Sequence, residues 1–329
     1  MAFAKIIGTG RYVPEKIVTN ADLSKILGED IDEFVTQVLG IRERHVCADD
    51  ESTADIATFA SREALQDAGV DAADLDLIVL ATDTPEQLSP ATSVVVQHRL
   101  GARNAGTFDV NCACAGFVTA LDTAAKYIIA DSAYRNVLVI GAYAISKYVD
   151  WKDKKTATIF ADGAGAVVLQ AREEGPGFLA SKLRADGSFH DHMGIYAGGT
   201  HMPVTPQTIE EGYWNKVRFH KKYPAEVNTE GWPAIVHEVL AKAELRLDQV
   251  KLCLFTQVNL STIKSVMAKL ELPMERTHTI MQQWGYTGSA CIPMVLDDAL
   301  KAALAGPGDN IVLCASGGGL NMACAAFRL

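Results

Sequence analysis

The chain has 329 residues, 49 % of them apolar, with 40 acidic and 30 basic side chains and a net charge of −10. That is enough apolar sequence for one large globular unit or two fused ones, and the acidic balance argues against nucleic acid as the main partner, because phosphate contact needs a basic surface. Met1–Gly8 lacks the regions of a secretion signal, no apolar run reads as a bilayer span, and the seven cysteines (Cys47, Cys112, Cys114, Cys253, Cys291, Cys314, Cys324) show no paired zinc-ligand spacing. The expectation is a reduced, cytoplasmic chain without membrane insertion, metal or redox cofactor.

Short apolar strands alternate with longer helical stretches, the pattern of an α/β chain. In the first half, strands are expected near Lys5–Gly8, Leu75–Thr82, Thr107–Asn111, Asn136–Ala142 and Gly165–Gln170. Leu77–Ala81 is continuously apolar, as in a strand covered on both faces. Helices are expected over Ser52–Ala68, capped by Ser52 or Thr53 and ended by Gly69, and over Cys114–Ala130. Ala171–Trp232 reads as irregular excursions over a site, because loops this long usually carry function. In the second half, helices Pro233–Leu245, Thr262–Leu270 and Ala290–Ala305 precede strands Leu252–Gln257, His278–Met281 and Asn310–Ala315, and Met322–Arg328 closes the chain. Two similar halves are thus expected, 1–172 and 173–329. A doubly wound nucleotide-binding sheet shares this rhythm, but Gly8-Thr9-Gly10 runs into Arg11-Tyr12-Val13 with no helix to open.

The most informative stretch is Asp109-Val110-Asn111-Cys112-Ala113-Cys114-Ala115-Gly116-Phe117. A strand ends, the chain turns among small residues, and a long helix begins. A thiol there faces unpaired helix N–H groups and the positive end of the helix dipole, which predicts a lowered pKa without a basic partner. A buried structural cysteine fits the same residues equally well.

The stretch resembles the nucleophile motif of the β-ketoacyl-ACP synthase III family, and four further motifs follow in order. Gly40-Ile41-Arg42-Glu43-Arg44, Phe160-Ala161-Asp162-Gly163-Ala164-Gly165-Ala166, Ala185-Asp186-Gly187-Ser188 and Gly317-Gly318-Gly319 are all similar to that family's segments. The resemblance implies a thiolase-like fold: two βα halves related by a pseudo-twofold axis and layered α-β-α-β-α, in a homodimer. It implies an acyltransferase in which Cys114, not Cys112, takes an acyl group from acyl-ACP or acyl-CoA. The backbone N–H groups of Cys114 and Gly318 would form the oxyanion hole, each donor worth roughly 3 kcal/mol of barrier.

Members that condense malonyl-ACP carry Pro-His-x-Ala-Asn and His-Gly-Asn-Thr, whose His and Asn stabilise the enolate. Here those segments read Phe255-Thr256-Gln257-Val258-Asn259 and Trp284-Gly285-Tyr286-Thr287, so Thr256 stands at the His position and Tyr286 at the Asn position. Thr256 and Tyr286 can donate hydrogen bonds, but a threonine cannot act as a base near neutral pH. Three readings follow: acyl transfer to an oxygen or nitrogen acceptor, decarboxylative Claisen condensation, or a non-catalytic partner subunit. Glu86 is a weak candidate base for the first, with a solvated loop carboxylate the better reading. Gln257 and Asn259 are expected to help bind substrate. At the mouth of a phosphopantetheine tunnel the resemblance puts Phe34 where an aromatic is usual and Lys154 where Arg is usual, with Val38 at a basic position. The clusters Lys152, Lys154, Lys155 and Lys216, Arg218, Lys221, Lys222 would meet an acidic carrier.

Overall fold

The computed structural model describes residues 2–329. Thirteen strands follow one another along the described residues: β1 (Phe3–Tyr12), β2 (Lys16–Thr19), β3 (Glu43–Val46), β4 (Leu77–Ala81), β5 (Gly106–Val110), β6 (Asn136–Tyr143), β7 (Gly163–Arg172), β8 (Phe178–Ala185), β9 (Met193–Ile195), β10 (Val217–Phe219), β11 (Val250–Phe255), β12 (Asn310–Gly317) and β13 (Asn321–Arg328). The first large sheet has the order β1-β7-β6-β4-β5, the second β11-β12-β13-β8, and β2–β3 and β9–β10 are two-stranded. Read from β8, the second sheet repeats the plan of the first: two antiparallel pairings and then a parallel one.

Helices Gly116–Ala130 and Cys291–Lys301 lie between the two sheets. Thr53–Ala68 and Thr92–Leu100 cover the outer face of the first sheet, and Glu226–Lys242 covers that of the second, with Leu260–Lys269 packed against it. This is a five-layered thiolase-like α/β fold. Every residue of β4 and β12 is buried, as strands covered on both faces must be. The layers sit close because small residues face each other. A Cβ on Gly8 would come within 2.5 Å of the Ala68 backbone nitrogen, and one on Gly10 within 2.3 Å of that of Ala64. Asp297, fully buried in the middle layer, accepts from Thr9 Oγ1 (2.7 Å) and Arg11 Nη1 (2.5 Å), which ties β1 to the Cys291–Lys301 helix.

Three expectations need correction. His278–Met281 is not a strand. The second sheet stops at β11, and Gln257 holds this segment instead, accepting from Ile280 N (2.9 Å) and donating to His278 O (3.3 Å). The Glu226–Lys242 helix starts seven residues before Pro233, which lies inside it and not at its first turn. Ala171–Trp232 is less irregular than expected, since it contains β8, an edge of the second sheet, and the β9–β10 ribbon. One further point concerns membranes. Ala113–Ala130 is, among the described residues, a segment long and apolar enough to cross a bilayer. Its apolarity reflects its place between two sheets, where Phe117, Val118, Leu121 and Ile128 are buried.

Candidate active site

Strand β5 delivers the chain to a tight turn. Ala113 adopts φ 46°, in the left-handed region that non-glycine residues seldom occupy, and so turns Cys114 inward. Cys114 is 2 % exposed and sits in a single 3₁₀ turn leading into Gly116–Ala130. The β12–β13 turn packs directly on it: a Cβ at Gly317 would lie 2.6 Å from both Cys112 O and Cys114 N. Among the described residues, no acceptor takes up the N–H of Cys114 or of Gly318.

Cys114 lines a cavity of about 140 Å³ together with Gly318, Thr256 and Tyr286, and with Asn228, Ser316, Tyr223 and Met193. Tyr286 is buried. Its backbone bridges Phe160 (Tyr286 N to Ile159 O, 3.1 Å; Ala161 N to Tyr286 O, 2.9 Å), and its ring stacks on that of Phe160 at 5.9 Å. Its side chain lines the cavity beside Cys114. Thr256 Oγ1 accepts from Ser316 N (3.0 Å), while Ser316 Oγ donates to Asn228 Oδ1 (2.7 Å). The Thr256 hydroxyl proton and the Asn228 amide N–H groups therefore remain available to the cavity. Asn228, Ser316 and Tyr223 escaped the sequence reading. Asn228 and Tyr223 lie in Ala171–Trp232, whose pattern reads as irregular, and Ser316 stands beside the glycines with no signal of its own.

The electrostatics reverse one expectation. Burial pushes the Cys114 thiol well above its ordinary value, and the Asp83 carboxylate adds to this, against the opposing hydrogen bond from Tyr286. A dry site outweighs the pull expected of a helix mouth. Burial, and then the nearby Cys114, likewise hold the Tyr286 phenol well above the usual tyrosine range, so it stays protonated.

Asp83 itself was missed. Its Oδ1 is buried without a hydrogen-bond partner, and burial raises its pKa from 3.8 to about 6. The folded state therefore binds this proton more tightly than the unfolded chain. Its contribution to stability is intact below pH ~4 and is lost as pH rises to ~6, by on the order of 2 kcal/mol. Urea unfolding should find Asp83→Asn about 2 kcal/mol more stable than wild type at pH 8 and equal to it at pH 4.

Other expected site residues have structural partners. Gln257 bonds only to backbone, donating to Phe255 O (2.9 Å) besides holding the 278–280 segment. Asn259 caps the Leu260–Lys269 helix, accepting from Ser261 N (2.8 Å) and Thr262 N (3.3 Å). Neither lines the Cys114 cavity. Glu86 accepts from Ala54 N (2.9 Å) at the start of Thr53–Ala68, which removes it as a base. Phe34 and Val38 are exposed, at 51 % and 38 %, and Lys154 pairs with Glu29 at 2.9 Å. Two motif residues are scaffold: buried Arg44 donates to Val18 O, Asn20 Oδ1 and Thr158 O, and Asp162 accepts from Cys47 N (2.7 Å) and Ser146 N (2.8 Å). Among the described residues, no cluster of His, Cys, Asp and Glu could hold a metal ion.

Comparison with known proteins agrees with this architecture. Residues 108–187 match the family model for 3-oxoacyl-[acyl-carrier-protein (ACP)] synthase III, and residues 240–329 match its C-terminal model. The chain is 39 % identical over 330 residues to a β-ketoacyl-[acyl-carrier-protein] synthase III of Roseiflexus sp., covering 99 % of this chain and 98 % of the relative. It is 40 % identical over 331 residues to the enzyme of that name from Xanthomonas campestris, with the same coverage. Among solved structures, the 3-oxoacyl-[acyl-carrier-protein] synthase III of Aquifex aeolicus superposes with TM-score 0.89 at 36 % identity, covering 99 % of this chain and 100 % of that one. A priming β-ketosynthase from a polyketide biosynthetic pathway superposes with TM-score 0.91 at 28 % identity, covering 99 % and 96 %. With its motifs in order along this fold and a thiol at the mouth of the central helix, the chain belongs to the 3-oxoacyl-[acyl-carrier-protein] synthase III family.

Proposed function

We propose that this protein transfers an acyl group from an acyl thioester, on acyl carrier protein or coenzyme A, through a covalent intermediate on Cys114, in fatty acid or polyketide synthesis. The observation that carries this is the single cavity shared by Cys114, Gly318, Thr256 and Tyr286. In the first step the Cys114 sulfur attacks the thioester carbonyl. The carbonyl oxygen gathers charge against the free N–H groups of Cys114 and Gly318. The donor's carbon–sulfur bond breaks, and the Cys114 thiol proton goes to the departing thiol. Tyr286 donates to the cysteine sulfur and so offsets part of the desolvation that holds the thiol neutral. Tyr286→Phe should raise the Cys114 pKa and slow both acylation and iodoacetamide alkylation by about tenfold, with an unchanged melting temperature.

The second step divides on the acceptor. The polar groups around the cavity are Thr256, Asn228, Ser316, Tyr223 and Tyr286, all neutral donors at working pH, and no carboxylate or histidine joins them. An alcohol or ammonium acceptor needs a base. A malonyl thioester does not, because loss of carbon dioxide unmasks the carbanion and the thioester oxygen then needs only donors. This favours decarboxylative condensation, with Thr256 and Asn228 as the donors to the enolate. The test is intact mass after incubation with acyl thioesters, followed by carbon dioxide release on adding malonyl-ACP. An acyl adduct without carbon dioxide would return the assignment to transfer onto oxygen or nitrogen.

A carrier-borne donor is supported by charge. Lys216 Nζ donates to Val149 O (3.3 Å), three residues before Lys152, so the second basic segment meets the first at this point. A homodimer is supported by β5, an open edge of the first sheet with half-buried Phe108, and by Leu88, 83 % exposed on the loop between β4 and the Thr92–Leu100 helix. Sedimentation should give a dimer for the wild type and a monomer for Phe108→Asp.

A further inference from the structure

A second cavity, of about 260 Å³, adjoins the first. Ala113, the residue before the nucleophile, lines it, and Met193 and Gly318 line both cavities and so form the partition between them. The two chambers differ in chemistry. The second holds Asp83, Asn111, Tyr143 and His190. Tyr143 is protonated, because burial pushes its phenol well above the usual range and Asp83 adds to this. Asn111 Oδ1 already faces Ala113 N (3.3 Å) and His190 Nδ1 already faces Gly187 O (3.1 Å). Asp83 stands apart. No donor among the described residues reaches its buried Oδ1, and no basic side chain pairs with it.

The carboxylate is held there by its neighbours. Thr53 Oγ1 donates to Thr84 O (2.6 Å), Ala144 N donates to Thr84 Oγ1 (3.0 Å), and Thr84 N donates to Thr82 Oγ1 (3.0 Å). The loop on both sides of Asp83 is thereby fixed, and its side chain lines the cavity. A buried acceptor left without a partner carries its full desolvation cost. Such a group in a cavity beside a nucleophile is satisfied when a ligand supplies the donor.

We infer that this chamber receives the distal end of the acyl group borne by Cys114, and that Asp83 selects acyl groups carrying a hydrogen-bond donor, a hydroxyl or an ammonium, over plain alkyl chains. This rests on the acyl-enzyme reading above and names its substrate class. Met193, with its unbranched and adaptable side chain, is the part of the partition that moves to admit the chain. A donor aimed at Asp83 replaces a missing hydrogen bond with a charge-assisted one, whereas a methyl group leaves the carboxylate bare.

Binding tests this without requiring chemistry. Cys114→Ala protein is titrated calorimetrically with N-acetylcysteamine thioesters of butyrate, 3-hydroxybutyrate and 3-aminopropionate, with and without a second change, Asp83→Asn or Asp83→Leu. At least one donor-bearing thioester should bind about tenfold or more tighter than butyryl, and Asp83→Leu should erase or invert that preference. A hydroxyl ligand should largely keep its advantage in Asp83→Asn, which still offers a carbonyl acceptor, and an ammonium ligand should lose it, so this variant tells the two apart. Butyryl binding as tightly as both donor-bearing thioesters, or a preference unchanged in Asp83→Leu, would overturn the assignment. The acyl-enzyme reading fails separately: wild-type protein would then gain no acyl mass on Cys114 from any of the three thioesters.

Discussion

Replacing Cys114 by alanine should abolish acyl transfer, lowering the rate by at least about ten-thousandfold, while leaving the fold in place. The side chain is buried against Tyr286 and the β12–β13 turn, and the truncation removes one sulfur from a site that already borders a cavity. The stability cost is therefore about 1 kcal/mol. Intact mass after exposure to acyl thioesters should show one acyl group on wild type and none on Cys114→Ala. An adduct that survives in the mutant would move the nucleophile elsewhere, with the half-buried Cys112 next to be examined.

Gly317→Ala should also be damaging, for a different reason. The added Cβ would lie 2.6 Å from Cys112 O, 2.6 Å from Cys114 N and 2.9 Å from Ala115 N. All three are backbone atoms, so no rotamer can relieve the clash. Either the β12–β13 turn withdraws from the nucleophile or the Cys114 turn is displaced. Both outcomes separate the Gly318 N–H from the Cys114 N–H, and losing one such donor costs a hundredfold to a thousandfold in rate by general experience. Overpacking of this kind should also lower stability by about 3 kcal/mol. Chemical denaturation and single-turnover acylation check the two effects separately. Gly306→Ala is the control, because nothing lies within 4 Å of a Cβ placed there.

Most of the architecture was legible in the chain because burial writes itself into pattern. Leu77–Ala81 and Asn310–Ala315 read as strands because both faces are covered, and Gly69 ends a helix because it adopts φ 63° as its C-cap. The place of Cys114, between a strand end and an apolar helix, was legible in the local pattern, while its expected role came from the resemblance of that stretch to the family's nucleophile motif. His278–Met281 misled because an apolar segment beside a sheet looks the same whether its backbone pairs with a strand or, as here, with the side chain of Gln257. Asn259 and Gln257 misled because a motif position gives residue type but not direction. The Asn259 amide turns back to cap its own helix, and that of Gln257 turns to backbone.

What only the tertiary structure decided is the state of the thiol and the second chamber beside it. A helix mouth predicts an acidic cysteine from local dipoles, yet desolvation depends on every layer that covers the site, and here two sheets and the β12–β13 turn bury it. Asp83 stands 31 residues before Cys114 in the sequence, in a loop with nothing to distinguish it from solvated acidic residues. The parallel pairing of β4 with β5, Ala81 beside Val110, brings the two loops together at one end of the sheet. The order of motifs along the chain points to Cys114, by resemblance, as the residue that would carry the acyl group, because a motif needs only neighbours along the chain. The distant folding of loops onto one another determined what charge, donors and space surround it, because those are properties of closure and not of order.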